Sequence, residues 1–137
     1  MPCFQRTFTL TTAEHNQVID VTDQVREVVA AAGVEVGQCT VYTPHATAGG
    51  TINENDDPNI GVDFLTALKR MVVEHDGWLH DRVDNNAAAH IKSALIGPSE
   101  TIPVSAGRLT LGTWQNIFFC EFDGPRQIRK IIVSVLS

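Results

Sequence analysis

From Thr101 to Leu136 the chain reads TIPVSAGRLTLGTWQNIFFCEFDGPRQIRKIIVSVL. Four extended runs are expected here: Thr101 to Val104, Leu109 to Thr113, Trp114 to Phe122 and Ile128 to Leu136. Ser105-Ala106-Gly107 and Asp123-Gly124-Pro125 supply turn residues between them. Turns this short join antiparallel neighbours, because parallel strands need a long crossover. Trp114 to Phe122 is apolar on both faces except at Gln115 and Glu121, the pattern of a strand covered twice. Trp114 itself suits core packing, with stacking on a ligand ring as the alternative. A block of strands closing the chain, after helices that do not alternate regularly with strands, defines an α+β class. The expected architecture is mainly antiparallel sheets, arranged as a sandwich or barrel, with helices packed on one side.

Working back from that block, Phe4 to Thr11 alternates as a half-buried strand, with Phe4, Phe8 and Leu10 on one side. Val18 to Val21 suits a second short strand. Thr22 is an expected N-cap for a helix carrying Val25, Val28, Val29 and Ala32 on one stripe, closed by Gly33. Gln38 to Thr43 is strand-like. Asp57-Pro58 opens a second helix, expected to reach about Glu74, whose stripe is Phe64, Leu65, Leu68, Met71 and Val72. Glu74 to Asp84 reads as a polar loop. Asn85 or Asn86 caps a third helix with Ala87, Ile91, Ala94 and Leu95 as its apolar stripe, and Gly97-Pro98 stops it.

The 137 residues suit one domain, 1–137, large enough to bury roughly 68% of the surface of the unfolded chain. A formal charge of −6 argues against a nonspecific nucleic-acid binder. There is no apolar run of about 18 residues and no signal-peptide layout, so a cytoplasmic protein without a membrane span is expected. Cys3, Cys39 and Cys120 are scattered. Cys39 and Cys120 lie in apolar runs and suit buried hydrophobes rather than redox or metal sites.

The chemistry-bearing residues begin in Tyr42 to Pro58, a segment holding His45, Thr47, Asn53 and Glu54 around Gly49-Gly50. His80 and His90 occur in other polar segments. Three imidazoles with an open position make a catalytic zinc pattern, and Glu54 would then act as a fourth ligand or a general base. The spacing does not impose this. Separate histidines, each satisfied by local hydrogen bonds, are the reading that composition alone favours. Arg126 beside the Asp123-Gly124-Pro125 turn suits either a phosphate anchor or an ion pair with Asp123 or Glu121 that pins the turn. His15 and His75 suit local structural roles.

Assembled in order, these pieces resemble a known family. They include His45-x-Thr47, Ile52-Asn53-Glu54-Asn55, Asp57-Pro58, Asp63, His80 and Ala89-His90-Ile91-Lys92. Gly107-Arg108-Leu109, Leu111-Gly112-Thr113-Trp114-Gln115 and Glu121-Phe122-Asp123-Gly124-Pro125-Arg126 complete the set. The family is YjbQ, also called the secondary thiamine-phosphate synthase enzyme family, and the resemblance covers nearly the whole chain. It implies a compact α+β fold and a homotrimer. It also implies weak synthesis of thiamine phosphate from a hydroxymethylpyrimidine diphosphate and a thiazole phosphate. On this resemblance His45, His80 and His90 fall at pocket histidines and would hold a divalent metal ion such as zinc. Glu54 falls at the pocket carboxylate, with His45 beside it in catalysis. Asn53, Thr47, Gln115, Arg126 and Lys92 would contact a small phosphorylated heterocycle. Two other readings use the same residues: a metal-dependent hydrolase of a small metabolite, and a non-catalytic metabolite-binding trimer.

Overall fold

The computed structural model describes residues 3–137. In chain order the elements are β1 (Cys3–Thr12), β2 (Gln17–Asp20), α1 (Thr22–Ala32), β3 (Gly37–Tyr42), β4 (Ala48–Asn53), α2 (Asn59–Met71), α3 (Ala87–Ile96), β5 (Ser99–Ser105), β6 (Arg108–Leu109), β7 (Asn116–Glu121) and β8 (Arg126–Leu136). One turn of 3-10 helix, Leu79–Arg82, precedes α3. A five-stranded sheet runs β1-β8-β3-β5-β6 and a three-stranded sheet runs β2-β7-β4. Every paired neighbour is antiparallel. The α+β class and the mainly antiparallel sheets expected from the strand block are present, and the sheets are curled.

The alternation of β7 explains how the layers stack. Ile117 and Phe119 point into a core with Val25 and Val29 of α1 and with Cys39, Val41, Val133 and Val135 of the large sheet. Phe118 and Cys120 point the other way, into a second core with Leu68 of α2, Ala89 of α3 and Phe122. Successive side chains of a strand leave opposite faces, so one six-residue strand serves both cores. Each buried Phe of this strand contributes about 1.5–3 kcal/mol by leaving water. The thiols of Cys39 and Cys120 lie fully inside. Burial pushes their pKa values up to about 11 and about 12, so both behave as small hydrophobes.

Several local expectations give way to tertiary contacts. The run Leu109 to Thr113 pairs only at Arg108–Leu109. Beyond it the chain turns, because the Gly112 N–H donates to Gln115 Oε1 at 2.8 Å and the Gln115 N–H donates to the Gly112 carbonyl. Trp114 rides on that turn at 59% exposure and does not pack in the core. Thr22 does not cap α1. Its hydroxyl donates to Asp20 Oδ1 and accepts the Ile117 N–H at 2.8 Å, tying the helix start to β7. Helix α2 stops at Met71, whose side chain is exposed.

Helix α3 buries Ala87, Ala88, Ala89, Lys92 and Ser93, and leaves Ala94 and Leu95 outside. The reason is close approach to β4. Ser93 Oγ donates to the Ala48 carbonyl at 2.6 Å, and the Gly50 N–H donates to the Gly97 carbonyl at 3.1 Å. A methyl group on Gly49 would lie 2.8 Å from the Gly97 carbonyl oxygen. Only a small-residue face fits at that distance, so Leu95 turns outward. No helix among the described residues is long and apolar enough to cross a membrane.

Candidate functional site

The frame of the site is a buried ion pair linking the two sheets. Glu121, at the end of β7, is fully buried, and Arg129 of β8 is 3% exposed. Glu121 Oε1 accepts Arg129 Nε at 2.8 Å and Thr12 Oγ1 at 2.7 Å. Its Oε2 accepts Arg129 Nη2 and the Asp123 N–H. Arg129 Nη2 also donates to Thr47 Oγ1 at 2.9 Å. Burial alone would raise the Glu121 pKa. The hydrogen bonds from Arg129, Asp123 and Thr12 outweigh it and hold the carboxylate below its ordinary value. Arg129 escaped the sequence reading, yet a signal existed. It shares the inward side of β8 with Ile131, Val133 and Val135, so an arginine stands where the alternation calls for an apolar residue.

This clamp positions the turn after β7, and the turn in turn positions a polar chain of residues. Asp123 Oδ2 accepts Arg126 Nη2 at 2.9 Å and Asn86 Nδ2 at 2.8 Å. Asn86 is the residue before α3, and its carbonyl accepts the His90 N–H. The His90 ring meets the His80 ring edge to face, with centroids 4.7 Å apart. His80 also has Asp84 Oδ2 at 3.8 Å. Arg126 thus does pin its turn through Asp123, while its guanidinium stays about half exposed and able to meet an anion. Asn86 Oδ1 is buried and has no hydrogen-bond partner.

His45 stands at the same end of the molecule. The Lys130 N–H donates to its Nε2 at 2.9 Å. A backbone N–H can only donate, so Nε2 is the unprotonated nitrogen and the neutral ring carries its proton on Nδ1. Burial, then the positive charge of Arg129, lowers the pKa of His45, and the charge of Arg126 also reaches it. The ring is a neutral donor through Nδ1–H. Thr47, expected at the substrate, is buried against Arg129 and belongs to the frame.

Asn53 and Glu54 lie elsewhere. Strand β4 begins with Ala48 opposite Glu121 and ends with Asn53 opposite Asn116. Five steps at roughly 3.4 Å separate those ends by about 17 Å. Glu54 sits at the far end with Gln115 nearby in sequence to Asn116. There Asn53 Oδ1 accepts the Glu54 N–H, and Asn55 bonds Asp20. Lys92 occupies a third place. It leaves α3 two residues after His90, hence on a different face, and is buried with Nζ donating to Asn16 Oδ1 at 3.1 Å. Burial lowers its pKa. His15, beside it in sequence to Asn16, pairs with Glu74.

The chain therefore brings the rings of His80 and His90 together, and separately joins Asn86, the residue before α3, through Asp123 to Arg126, whose charge also reaches His45. It does not bring Glu54 or Lys92 there. Among the described residues no three His, Cys, Asp or Glu side chains gather as a set able to hold a metal ion. His80 and His90 form two imidazole donors of the kind zinc takes, and the unpartnered Asn86 Oδ1 stands at the start of the same helix. That donor chemistry suits such an ion in part. The third imidazole, His45, has Nε2 committed to Lys130.

Fold and site together define a class: a small α+β protein of two curled antiparallel sheets, clamped by a buried Glu–Arg pair, with a histidine- and arginine-bearing pole beside α3. The chain belongs to the YjbQ family, since the family model described as UPF0047 protein YjbQ-like matches residues 6–137. A UPF0047 protein of Archaeoglobus fulgidus is 45% identical over 128 residues, covering 93% of this chain and 98% of that one. UPF0047 protein YugU of Bacillus subtilis is 43% identical, covering 88% and 91%. Among solved structures, a YbjQ-like protein from Sulfolobus solfataricus superposes with a TM-score of 0.97 at 35% identity, covering 99% of this chain and 98% of that one. A YjbQ/UPF0047-family protein from Clostridium acetobutylicum gives 0.92 at 43%, covering 96% and 99%.

Proposed function

We propose that this protein is a homotrimeric enzyme with secondary thiamine-phosphate synthase activity, joining hydroxymethylpyrimidine diphosphate to thiazole phosphate. The observations that carry the reading are the paired rings of His80 and His90 on and before α3 and the Asn86–Asp123–Arg126 chain at the start of the same helix, with His45 within reach of the Arg126 charge. In the reaction the pyrimidine CH2–O bond breaks and pyrophosphate departs with the electron pair. The thiazole nitrogen attacks the CH2 carbon and a C–N bond forms. Negative charge grows on the leaving oxygen, and preorganised donors are worth most where charge develops. Arg126 has N–H groups left after binding Asp123 and would hold a phosphate oxygen. His45 Nδ1–H would donate to another. His90 or His80, when protonated, would neutralise the departing pyrophosphate. A divalent metal ion, zinc first among candidates, would be held by the neutral rings of His80 and His90 and would supply the charge neutralisation in place of a protonated imidazole.

In this reading Glu54, with Asn53 and Gln115, reaches the histidine pole of a neighbouring subunit. The span of β4 supports this, because it keeps the two groups apart within one chain. The joining itself releases no proton, so a carboxylate arriving across the boundary would accept a hydrogen bond from the amino group of the pyrimidine and orient that ring for attack. Subunit mixing tests the arrangement. Glu54→Ala and His90→Ala trimers should each lose the joining of the two precursors while staying folded. Mixed one to one and reassembled, they should recover about a quarter of wild-type sites, because each interface takes its two residues from different chains. Retained activity in both variants would remove these residues from the mechanism, and loss in both with no recovery on mixing would refute the placement of Glu54 across the subunit boundary. Binding of precursors without turnover would instead identify a metabolite-binding trimer. Release of phosphate or another hydrolysis product at a far higher rate would identify a metal-dependent hydrolase.

A further inference from the structure

A separate cleft opens between α1 and the β5–β6 turn. Arg26, Val29 and Ala30 form one wall; their spacing of three and four places them on one face of the helix. Gly107, Arg108 and Leu109 form the other, and the enclosed volume is about 400 Å³. That lies within the range of about 300–1,000 Å³ typical of small-molecule sites. None of these residues belongs to the histidine pole. Helix α1 packs on β1, β6, β7 and β8, whereas α3 packs on β4. The Gly107-Arg108-Leu109 motif also has no part in the reaction proposed above.

The two walls present an apolar floor between two guanidinium groups. Val29 is 2% exposed and Leu109 is half-buried, both packed with the main core. Among the described residues Arg108 has no carboxylate within salt-bridge distance. Arg26 has only Asp23, at 3.6 Å, with both side chains exposed. Such a pair is weak and yields readily to a better-placed anion. Glu35 is the other charged group nearby. Its carboxylate lies behind Gly107, 3.8 Å from where a Cβ would stand. The Gly107 N–H donates to the Glu35 carbonyl at 3.0 Å, which holds the turn that carries Arg108. Gly107 has φ 74, a conformation glycine adopts without strain. Arg108 is thus mounted on a fixed turn facing a fixed helix, in a chain whose net charge is −6.

We propose that this cleft is a second binding site, for a small oxyanion, phosphate monoester or carboxylate, carried on an apolar body. Guanidinium forks match both oxyanions bidentately, and the floor of Val29, Ala30 and Leu109 takes the apolar part. Titration calorimetry on the full chain tests it with four probes: 1-naphthyl phosphate, 1-naphthoate, 1-naphthol and inorganic phosphate. One 1-naphthyl phosphate or 1-naphthoate should bind per chain with a Kd below about 1 mM. The tighter of the two names the anion. Neutral 1-naphthol and bare phosphate should each bind at least about tenfold more weakly, since each lacks half of the recognition. Arg26→Gln and Arg108→Gln should each weaken the aromatic anion at least about tenfold, the cost of a lost charge-assisted contact. Both side chains are exposed, so the fold should be unchanged by far-UV circular dichroism. Thiamine-phosphate synthesis should be unchanged in both variants, which separates this site from the catalytic reading. No binding of either anion up to several millimolar, or binding indifferent to the double variant, would overturn the proposal.

Discussion

Removing Arg129 gives the sharpest test of how the two sheets are held together. Arg129→Met keeps the length and apolar character of the stem and deletes the guanidinium. Glu121 then loses the bond to Nε at 2.8 Å and the bond to Nη2, and Thr47 loses its donor at 2.9 Å. What remains for a carboxylate with no exposure is the Thr12 hydroxyl and the Asp123 N–H. Breaking a buried pair from one side costs about 3–5 kcal/mol, because the surviving charge stays buried. Against a total stability of about 5–15 kcal/mol this is a large fraction. For a chain of this size it corresponds to a fall in Tm of roughly 10–20 °C. The assay is urea unfolding followed by circular dichroism, at one fixed chain concentration because assembly shifts apparent stability.

The same pair carries a pH signature. The folded-state pKa of Glu121 lies below its ordinary value of 4.5. The unfolded chain therefore binds the proton first as pH falls. The stabilisation is complete above 4.5 and is lost as pH drops through the lower, folded value. The gap between wild type and Arg129→Met should be full at pH 7 and should shrink below 4.5. Adding Glu121→Leu to Arg129→Met should restore part of the loss, because no unpaired charge then remains. A loss below about 1 kcal/mol for the single variant, or a gap independent of pH down to 3, would refute the clamp as the link between sheets.

Two further outcomes are expected. Gly49→Ala should destabilise by about 1–3 kcal/mol, since its Cβ would stand 2.8 Å from the Gly97 oxygen. Gly50→Ala, whose nearest new contact is 3.5 Å, should cost clearly less, and equal urea midpoints for the two would refute close α3–β4 packing. His45 should remain neutral below the pH at which a free histidine titrates, with its proton on Nδ1. Nitrogen-15 correlation spectra of the ring check both points, and an Nε2–H ring at neutral pH would refute the Lys130 contact.

The legible part of this protein was its local patterning. Alternation identified β1 and β3, short turns bounded the strands that became β5 and β8, and the doubly apolar run Trp114 to Phe122 marked a strand covered on both sides, which the fold narrows to Asn116–Glu121. Turn chemistry at Asp123-Gly124-Pro125 marked the junction that now carries Arg126. Such signals are legible because they depend on neighbours within a few residues. The failures share the opposite cause. Thr22 prefers a cap in isolation but serves β7, about 95 residues away, through the Ile117 N–H. Helix α3 chooses its buried face by the closeness of β4, which no helical periodicity records. Trp114 is apolar enough for a core and is carried outside by the Gly112–Gln115 turn.

The candidate site divides along the same line. The sequence alone determined which residue types were present: imidazoles at 45, 80 and 90, a carboxylate at 54, and an arginine at 126. Only the folded chain decided which of them meet. His80 and His90 meet because the 3-10 turn and α3 place them side by side, and Asp123 joins Arg126 to Asn86 at the start of that helix. Glu54 is held away because β4 is a rigid extended spacer between it and His45. Distance through space depends on strand pairing and sheet closure, which are set by burial summed over the whole chain. Residue identity travels with the sequence; proximity is a property of the fold.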